Sequence, residues 1–589
     1  MDKHTGRADA WTAVTLEDAV RGWPTDAVPH AQTVLADADA VRALSVLGQG
    51  RLVSARHRVV VERFRAPLAG WRGRLGHLPG LREHTVVWPR RRTGRVSVDV
   101  VLAAPVDVAT VAAAVAPMLW PASTTEHVGS PLVTLAPSAP RASLALLETP
   151  WATPEQHERD PAALLGNDVV LVGTDDDAAH ETPRTVVVDV EGRPAGTRRP
   201  VVDLAVHNPV RRLAKVDGAV PWRAGTLLAH DDVWDVVVDG RAHASFDPAR
   251  PVGLGTVELL RSVASLDLGR LAVPDGGPDA RATAARVVEL AATGVVLHGA
   301  RPLAGALTDV APELVEAVVR PHAPAHGLPT LAAAVAQRRV AMRAHAGRYA
   351  LSGSLTGGAP ALPHVSVLLV TNRPGLVEPF LASVAAQTYP HLDVVVVLHG
   401  VPAPDTSRWD PRLRELVSTT LEVAAATPFG DVLARATAAA SGPLVVKMDD
   451  DDLYGPEFVW DLVLARAFSG AQVVGKQAEL TYLEPFEVTV RRGFTVEDYS
   501  EQVAGGTMLA SVADVMAVGG WRGVPRSVDR ALMQRVVKAG GLMYVDRGVG
   551  FVYVRHGRGH TWNADASHFL RNVEEQWHGV HAPALGLPG

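Results

Sequence analysis

Asp449, Asp450, Asp451 and Asp452 follow one another directly after the run Leu444-Val445-Val446-Lys447-Met448. That run reads as a buried strand, so four carboxylates emerge together at its end. Adjacent carboxylates repel one another, and a fold places them there only with positive charge to answer them. A divalent cation such as Mg²⁺ or Mn²⁺ supplies it. Hard cations take oxygen ligands, often a few carboxylates together with the phosphates of a substrate. The competing account is an acidic helix N-terminus, where Asp is favoured by capping and by the helix dipole; it covers one or two of the four. A second concentration of chemistry lies near the C-terminus. The strand-like Phe551-Val552-Tyr553-Val554 delivers Arg555-His556-Gly557-Arg558-Gly559-His560, a basic, glycine-flexible loop. Arg555 and Arg558 suit the charge of a diphosphate.

The elements that must position these groups begin at Pro363. Val365 to Val370 is a nearly continuous apolar run, as expected for a strand buried on both faces of a parallel sheet. Thr371-Asn372-Arg373-Pro374 ends it. A helix is expected from Gly375 to Gln387, closing at Thr388-Tyr389-Pro390, and a second strand from Leu392 to Leu398. This is a βαβ unit whose loop opens at the C-terminal edge of the sheet, where open α/β folds bind ligands. Further on, Gly505-Gly506-Thr507 and Gly519-Gly520-Trp521 precede Val528-Asp529-Arg530, which leads a helix ending at Ala539-Gly540-Gly541.

Strand, Thr-Asn-Arg-Pro, a helix with a Ser-Val-x-x-Gln-Thr-Tyr-Pro ending, a Val-rich strand, and then Asp-x-Asp-Asp: this order resembles glycosyltransferase family 2, a single Rossmann-like domain of the GT-A fold. The resemblance covers a little over a third of the chain. It implies that Thr371, Asn372, Arg373, Arg435, Lys447, Asp449 and Asp450 lie on the side of the donor nucleotide. It implies that Asp451 binds the Mg²⁺ or Mn²⁺ bridging the diphosphate, and that Asp452 stands behind the metal or against the sugar. Gly505, Gly506 and Trp521 fall on the acceptor side, although Trp521 equally suits core packing. Asp529 takes the position of the base that removes the acceptor hydroxyl proton; a helix N-cap is its other role. His556, or else His560, completes the metal site or touches the diphosphate beside Arg555 and Arg558. The chain also departs from the family pattern. Leu398-His399-Gly400 lacks the Asp pair that usually recognises base or ribose, and Asp393 sits too early on the strand to replace it. Val528 precedes Asp529 where relatives carry Glu, and Ala436 replaces an Asn after Arg435.

The rest of the chain bounds the setting. Its 589 residues suggest about two to four domains. With 47% hydrophobic and 20% charged residues it has the composition of a globular protein. A net charge of −6 gives no sign of a nucleic-acid partner. The absence of cysteine excludes disulfides, thiolate zinc sites and cysteine nucleophiles. Val96 to Trp120, the longest apolar stretch, is broken by Asp99, Pro105, Asp107 and Pro117 and reads as strand then helix, not as a membrane span.

Strand-like runs at Val59–Val61, Val96–Leu102, Asp168–Val172, Thr185–Val190, Val201–Val206 and Val233–Val238 alternate with helical stretches such as Val108–Ala116 and Ala280–Ala292, an α/β pattern. Residues 286–296 resemble the late helix–strand element of two-Rossmann-domain glycosyltransferases, which implies a donor-ribose contact for Glu289; the alternative is a surface acid on an amphipathic helix. The expected organisation is an α/β region over 1–350, dividing near 160 into two subdomains, a linker at 351–362, a GT-A domain over 363–580 and a tail at 581–589. The N-terminal region is either a degenerate transferase or a glycan-binding module. The function so read is inverting, metal-dependent transfer from a nucleotide-diphosphate sugar, a UDP-sugar foremost, to a glycan or lipid-linked glycan, in bacterial surface polysaccharide synthesis. A cytoplasmic location follows, with room for contact at the inner face of the cell membrane. The alternatives are a non-catalytic scaffold that binds nucleotide sugar or glycan, and a sugar-phosphate nucleotidyltransferase.

Overall fold

The computed structural model describes residues 12–14, 28–37, 40–41, 44, 52–65, 75, 78, 81–89, 93–119, 133–135, 169–172, 186–189, 202–204, 206–213, 222–230, 233–248, 250–271, 278–323, 326–346, 362–557 and 566–587. The expected linker thus lies almost wholly outside the described residues. The architecture is mixed α/β throughout. Among the described residues, no helix is long and apolar enough to cross a membrane.

The first sheet runs Thr12–Val14, Ala31–Asp37, Val53–Arg65, Thr93–Asp107, Leu81–Val87 in spatial order. Helix Val108–Leu119 follows its longest strand and packs Val111, Val115 and Met118 into a core with Val59, Val61 and Val98. The apolar stretch interrupted by Pro and Asp is therefore a strand and a helix, as its sequence indicates. Val169–Val172 pairs in parallel with Val133–Leu135 on one side and with Val186–Asp189 on the other.

The next sheet has the order Arg241–Phe246, Val233–Val238, Arg223–His230, Val263–Asp267, Val296–His298. Two expectations need correction here. The described residues of the expected strand 201–206 do not form one. Val202 makes a single bridge to Ala346, and the backbone then turns, with His207 N–H donating to the Asp203 carbonyl at 2.7 Å and the Asn208 amide to that of Leu204 at 3.0 Å. Glu289, on helix Pro278–Ala292, is neither a surface acid nor open to a ligand. It is 0% exposed. One carboxylate oxygen accepts the Val252 N–H at 2.7 Å and the other accepts from Arg286, one turn back, at 2.8 Å. Burial of this charge is tolerated because both oxygens are satisfied.

In the C-terminal region, β1 (Val365–Thr371), β2 (Leu392–His399), β3 (Val417–Val423) and β4 (Leu444–Lys447) are parallel, in the order β3-β2-β1-β4. Helix α1 (Val377–Ala385) connects β1 to β2, and α2 (Phe429–Ala438) connects β3 to β4. β1 and β2 are buried along almost their whole length, which is why they read as unbroken apolar runs. After β4 come the short β5 (Leu453–Tyr454), α3 (Phe458–Ser469), β6 (Val473–Lys476), β7 (Leu480–Leu483), β8 (Val488–Arg492), β9 (Asp498–Ser500) and β10 (Leu509–Ser511). Helix α4 (Val528–Lys538), β11 (Met543–Asp546), β12 (Phe551–Arg555) and β13 (Val573–His578) complete the region. The main sheet continues from β4 through β10, β6, β11 and β9; a second sheet has the order β5-β12-β7-β8-β13. The chain end turns through Ala582–Leu585, burying Ala584.

Helix Leu328–His345, N-terminal to the linker, packs into this region. Val202, Leu297 and Met342 share one buried apolar cluster with Val367, Leu462 and Phe551. Charges are buried at the same contact. Arg338 donates to Glu497 and, at 2.6 Å, to Asp546; Arg339 grips Asp461 with two bonds of 2.7 and 3.1 Å. Lys476, 15 residues after Asp461, donates to Asp546 at 3.0 Å and to the carbonyls of Arg547 and Val549. Burial works against the Glu497 carboxylate, but Arg547, Arg338 and Arg212 outweigh it and hold its pKa at about 2, below the ordinary 4.5. A depressed carboxylate contributes stability that is complete above its unfolded pKa and is lost as pH falls towards the folded one. Stability should therefore drop between pH 4.5 and about 2. Glu497→Gln should cost about 3–5 kcal/mol at neutral pH, because it strands two arginines, and should flatten that acid limb. Urea unfolding across the acid range checks this; an unchanged limb in the variant would contradict it.

Candidate functional site

The acidic run leaves β4 at the C-terminal edge of the parallel strands, beside the loop after β1. Its charge is answered from two directions. Lys447, the last residue of β4, is buried and donates to Asp449 at 2.6 Å, with Asp529 at 3.9 Å. Burial works against its ammonium, but Asp449 and Asp529 more than compensate and hold its pKa above the ordinary range. Arg373, from the loop after β1, donates to both oxygens of Asp450 and lies 2.9 Å from Asp451. Thr371 also donates to Asp450 and receives the Arg373 N–H at 2.8 Å, which turns the loop back onto the acids. Asp450 is thus enclosed, its side chain 5% exposed, whereas that of Asp449 is 41% exposed. Asn372 is exposed on the same loop.

The second sheet closes over the run. Leu453 and Tyr454 pair with Val552 and Phe551, and the Val554 N–H donates to Asp452 at 2.9 Å. Burial, then Asp449 and Asp451, push the Asp452 carboxyl well above the ordinary carboxylate range. The ending of the first helix is built into this arrangement. Gln387 leaves the helix early to donate to the Gly455 carbonyl at 2.8 Å and to accept the Val459 N–H, and Thr388 N–H donates to Pro456. These bonds pin the segment just after the acids.

Gly505 and Gly506 form a turn against the other side. A Cβ on Gly506 would stand 2.7 Å from Asp449 Oδ2 and 3.1 Å from Asp452 Oδ2; one on Gly505 would stand 2.3 Å from Asp529 Oδ2. A side chain at either position would push these carboxylates aside. Asp529 lies in the first turn of α4, where the dipole favours an acid. It is not the N-cap: that position is Ser527, which makes no side-chain cap bond. Asp529 Oδ1 is buried and has no hydrogen-bond partner among the described residues. Burial raises its pKa, Asp449 adds to the effect and Lys447 opposes it.

Several expected residues stand elsewhere. Trp521 is 8% exposed, packs in a core with Leu433 and Leu532, and donates its indole N–H to Thr437 at 2.8 Å, so its packing alternative accounts for it. Arg435 is on the exposed face of α2. Arg555 ends β12 with its guanidinium 5.4 Å from the Phe569 ring. The His556 ring nitrogen Nδ1 is 2.9 Å from Glu484. Arg558 and His560 lie outside the described residues. Asp393 is held by Ser366, Ser418 and His364 at the opposite end of β2. Tyr454 and Gln387, both central to the geometry, carried no assigned role in the sequence; Gln387 lay inside the recognised helix ending, and Tyr454 was signalled only by its place after the acids.

Among the described residues, no group of three His, Asp or Glu side chains is arranged to hold a metal ion. The carboxylates nevertheless fit a hard cation in chemistry and in charge. Asp449, Asp450, Asp451, Asp452 and Asp529 are answered only by Lys447 and Arg373 among the contacts above, and a cation of this kind takes further oxygens from phosphate or water.

No protein-family model and no curated protein matches the chain. Among solved structures, the mannosyltransferase PcManGT from Pyrobaculum calidifontis, in complex with GDP-Man and Mn²⁺, is similar at 20% identity over 33% of this chain and 58% of its own, with a TM-score of 0.27. Residues 1–349 of TarS from S. aureus, in complex with UDP-GlcNAc, are similar at 14% identity over 33% of this chain and 60% of their own, with a TM-score of 0.28. The chain thus spans less than two thirds of either structure, and a likeness this loose carries no argument about activity.

Lys447→Met should destabilise the fold by about 1–3 kcal/mol at neutral pH, less than for a fully buried pair because Asp449 keeps contact with water. The deficit should shrink as pH falls and the stranded carboxylates take up protons. Paired denaturation curves at neutral and acid pH check it.

Proposed function

We propose that residues 363–580 transfer a sugar from a nucleotide-diphosphate donor to a hydroxyl group of a glycan acceptor, with inversion at the anomeric carbon. The supporting observation is that the acidic run and Asp529 come from segments about eighty residues apart in sequence yet meet across the Gly505–Gly506 turn, where a Cβ would push the carboxylates aside. One side of the turn gathers anionic groups suited to a cation, which would in turn hold a diphosphate. The other carries the Asp529 carboxylate, half-buried at the start of α4.

In the proposed reaction the Asp529 carboxylate, whose side chain is 29% exposed, accepts the proton of the acceptor hydroxyl. The acceptor oxygen forms a bond to the anomeric carbon as the bond from that carbon to the diphosphate oxygen breaks. The nucleoside diphosphate leaves with the electron pair. Mg²⁺ or Mn²⁺, when bound through Asp451 with oxygens of the donor, would neutralise charge on the leaving diphosphate. Arg373 holds Asp450 and Asp451 in place, and Arg555 stands at the end of the strand that covers Asp452. The raised pKa of Asp529 makes it a stronger base than an ordinary carboxylate. The proposed setting is cell-surface polysaccharide synthesis on the cytoplasmic side of the membrane, with a glycan or lipid-linked glycan as acceptor.

The test begins with a panel of UDP-sugars, including UDP-N-acetylglucosamine, and GDP-mannose, following release of the nucleoside diphosphate. Asp529→Asn should lower kcat by about 10²–10⁴-fold while nucleotide binding persists. The rate should fall as pH drops through the raised pKa of Asp529, because the protonated carboxyl is no longer a base. Full activity in the Asn variant would remove Asp529 from the chemistry.

A further inference from the structure

We infer that Tyr454 is a positioning residue that sets the spacing between the donor-side acids and the base Asp529. The inference rests on the transfer reading above and adds a residue to it. The Tyr454 hydroxyl accepts the backbone N–H of Asp449 at 2.8 Å and donates to the carbonyl of Gly506 at 2.9 Å. It ties the acidic run to the turn that abuts Asp529, and it reaches both through backbone, so the tie does not depend on side-chain charge.

The ring is held rigidly. It is 9% exposed and packs edge-on against Phe458, with centroids 4.8 Å apart, and against Phe551 at 5.5 Å. The turn it reaches is fixed from behind by Thr507, whose hydroxyl accepts the Lys476 N–H at 2.9 Å and lies 2.8 Å from the Ala504 carbonyl. On one face of that turn Gly505 abuts Asp529, and on the other Gly506 abuts Asp449. A shift of the turn therefore moves Asp529 relative to the acids. Displacement by about 1 Å is enough to cost on the order of 10²-fold in a positioned reaction.

Tyr454→Phe removes only the hydroxyl group. The measurement is steady-state release of nucleoside diphosphate, with water as acceptor, from whichever of UDP-N-acetylglucosamine or GDP-mannose the wild type turns over, together with calorimetric binding of UDP and GDP. The expected result is a kcat lower by about 10–100-fold, with KM and nucleotide affinity within about twofold of wild type. In the double variant with Asp529→Asn the two losses should not multiply, because Tyr454 acts through the placement of Asp529. A wild-type kcat, a loss confined to KM, or fully multiplicative losses would overturn the role of Tyr454. If Tyr454→Phe does not fold, Gly505→Ala carries the test, since its Cβ pushes on Asp529 without touching the tyrosine; a kcat loss at unchanged KM supports the spacing argument, and any other pattern overturns it. A wild type that binds and turns over none of these nucleotides would fail the transfer reading instead, leaving the two failures distinct.

Discussion

Repulsion among four successive carboxylates at the end of a buried strand is the constraint around which the C-terminal region is built. Each neighbouring element supplies something to contain it. β4 ends in Lys447, the loop after β1 turns back Arg373 and Thr371, and β12 offers the Val554 N–H to Asp452. The turn that approaches from the other side carries two glycines, where a Cβ would press on Asp449 and Asp529. Even the ending of α1 is spent on the problem, with Gln387 bonded to the backbone that follows the acids. The local balance still favours negative charge, and that residual charge is what a divalent cation would answer.

The scaffold beneath this edge extends beyond the C-terminal region. Helix Leu328–His345 inserts Arg338 and Arg339 among Glu497, Asp546 and Asp461, and Lys476 completes the network. Buried ion pairs contribute little net stability but are costly to break singly. They therefore specify one way of docking the helix more than they strengthen it. β6, which carries Lys476, lies between β10, the strand following the Gly505–Gly506 turn, and β11, which carries Asp546. The docking network and the candidate site thus share a sheet, so the preceding helix belongs structurally with the region that bears the site.

Much of this was legible in the sequence because its signals were local. Doubly buried parallel strands appear as unbroken apolar runs, so β1, β2 and β4 could be placed with their loops at one edge. The acidic run announced an unusual constraint by composition alone, whereas the glycine pair was singled out only through the family resemblance. Long-range pairings were not legible. Arg338 and Asp546 are 208 residues apart, and His556 and Glu484 are 72 apart; nothing in either segment names its partner. Val201–Val206 has the apolar content of a strand, but the Asn208 side chain and the turn at Asp203 claim its backbone bonds. Glu289 has the helical position of a surface acid, yet Arg286 and the Val252 N–H satisfy it inside the core. Tyr454 looks like an ordinary core aromatic until its hydroxyl is placed between two backbone segments.

The central claim is that the acidic edge binds a nucleotide diphosphate together with a divalent cation. Titration calorimetry of UDP and GDP against the full chain, with and without Mn²⁺, for wild type and Asp451→Ala, tests it most directly. The account predicts that one nucleotide binds to wild type only when Mn²⁺ is present, and that the substitution abolishes this binding. Absence of binding by either nucleotide under both conditions, or binding that ignores both Mn²⁺ and Asp451, would contradict it.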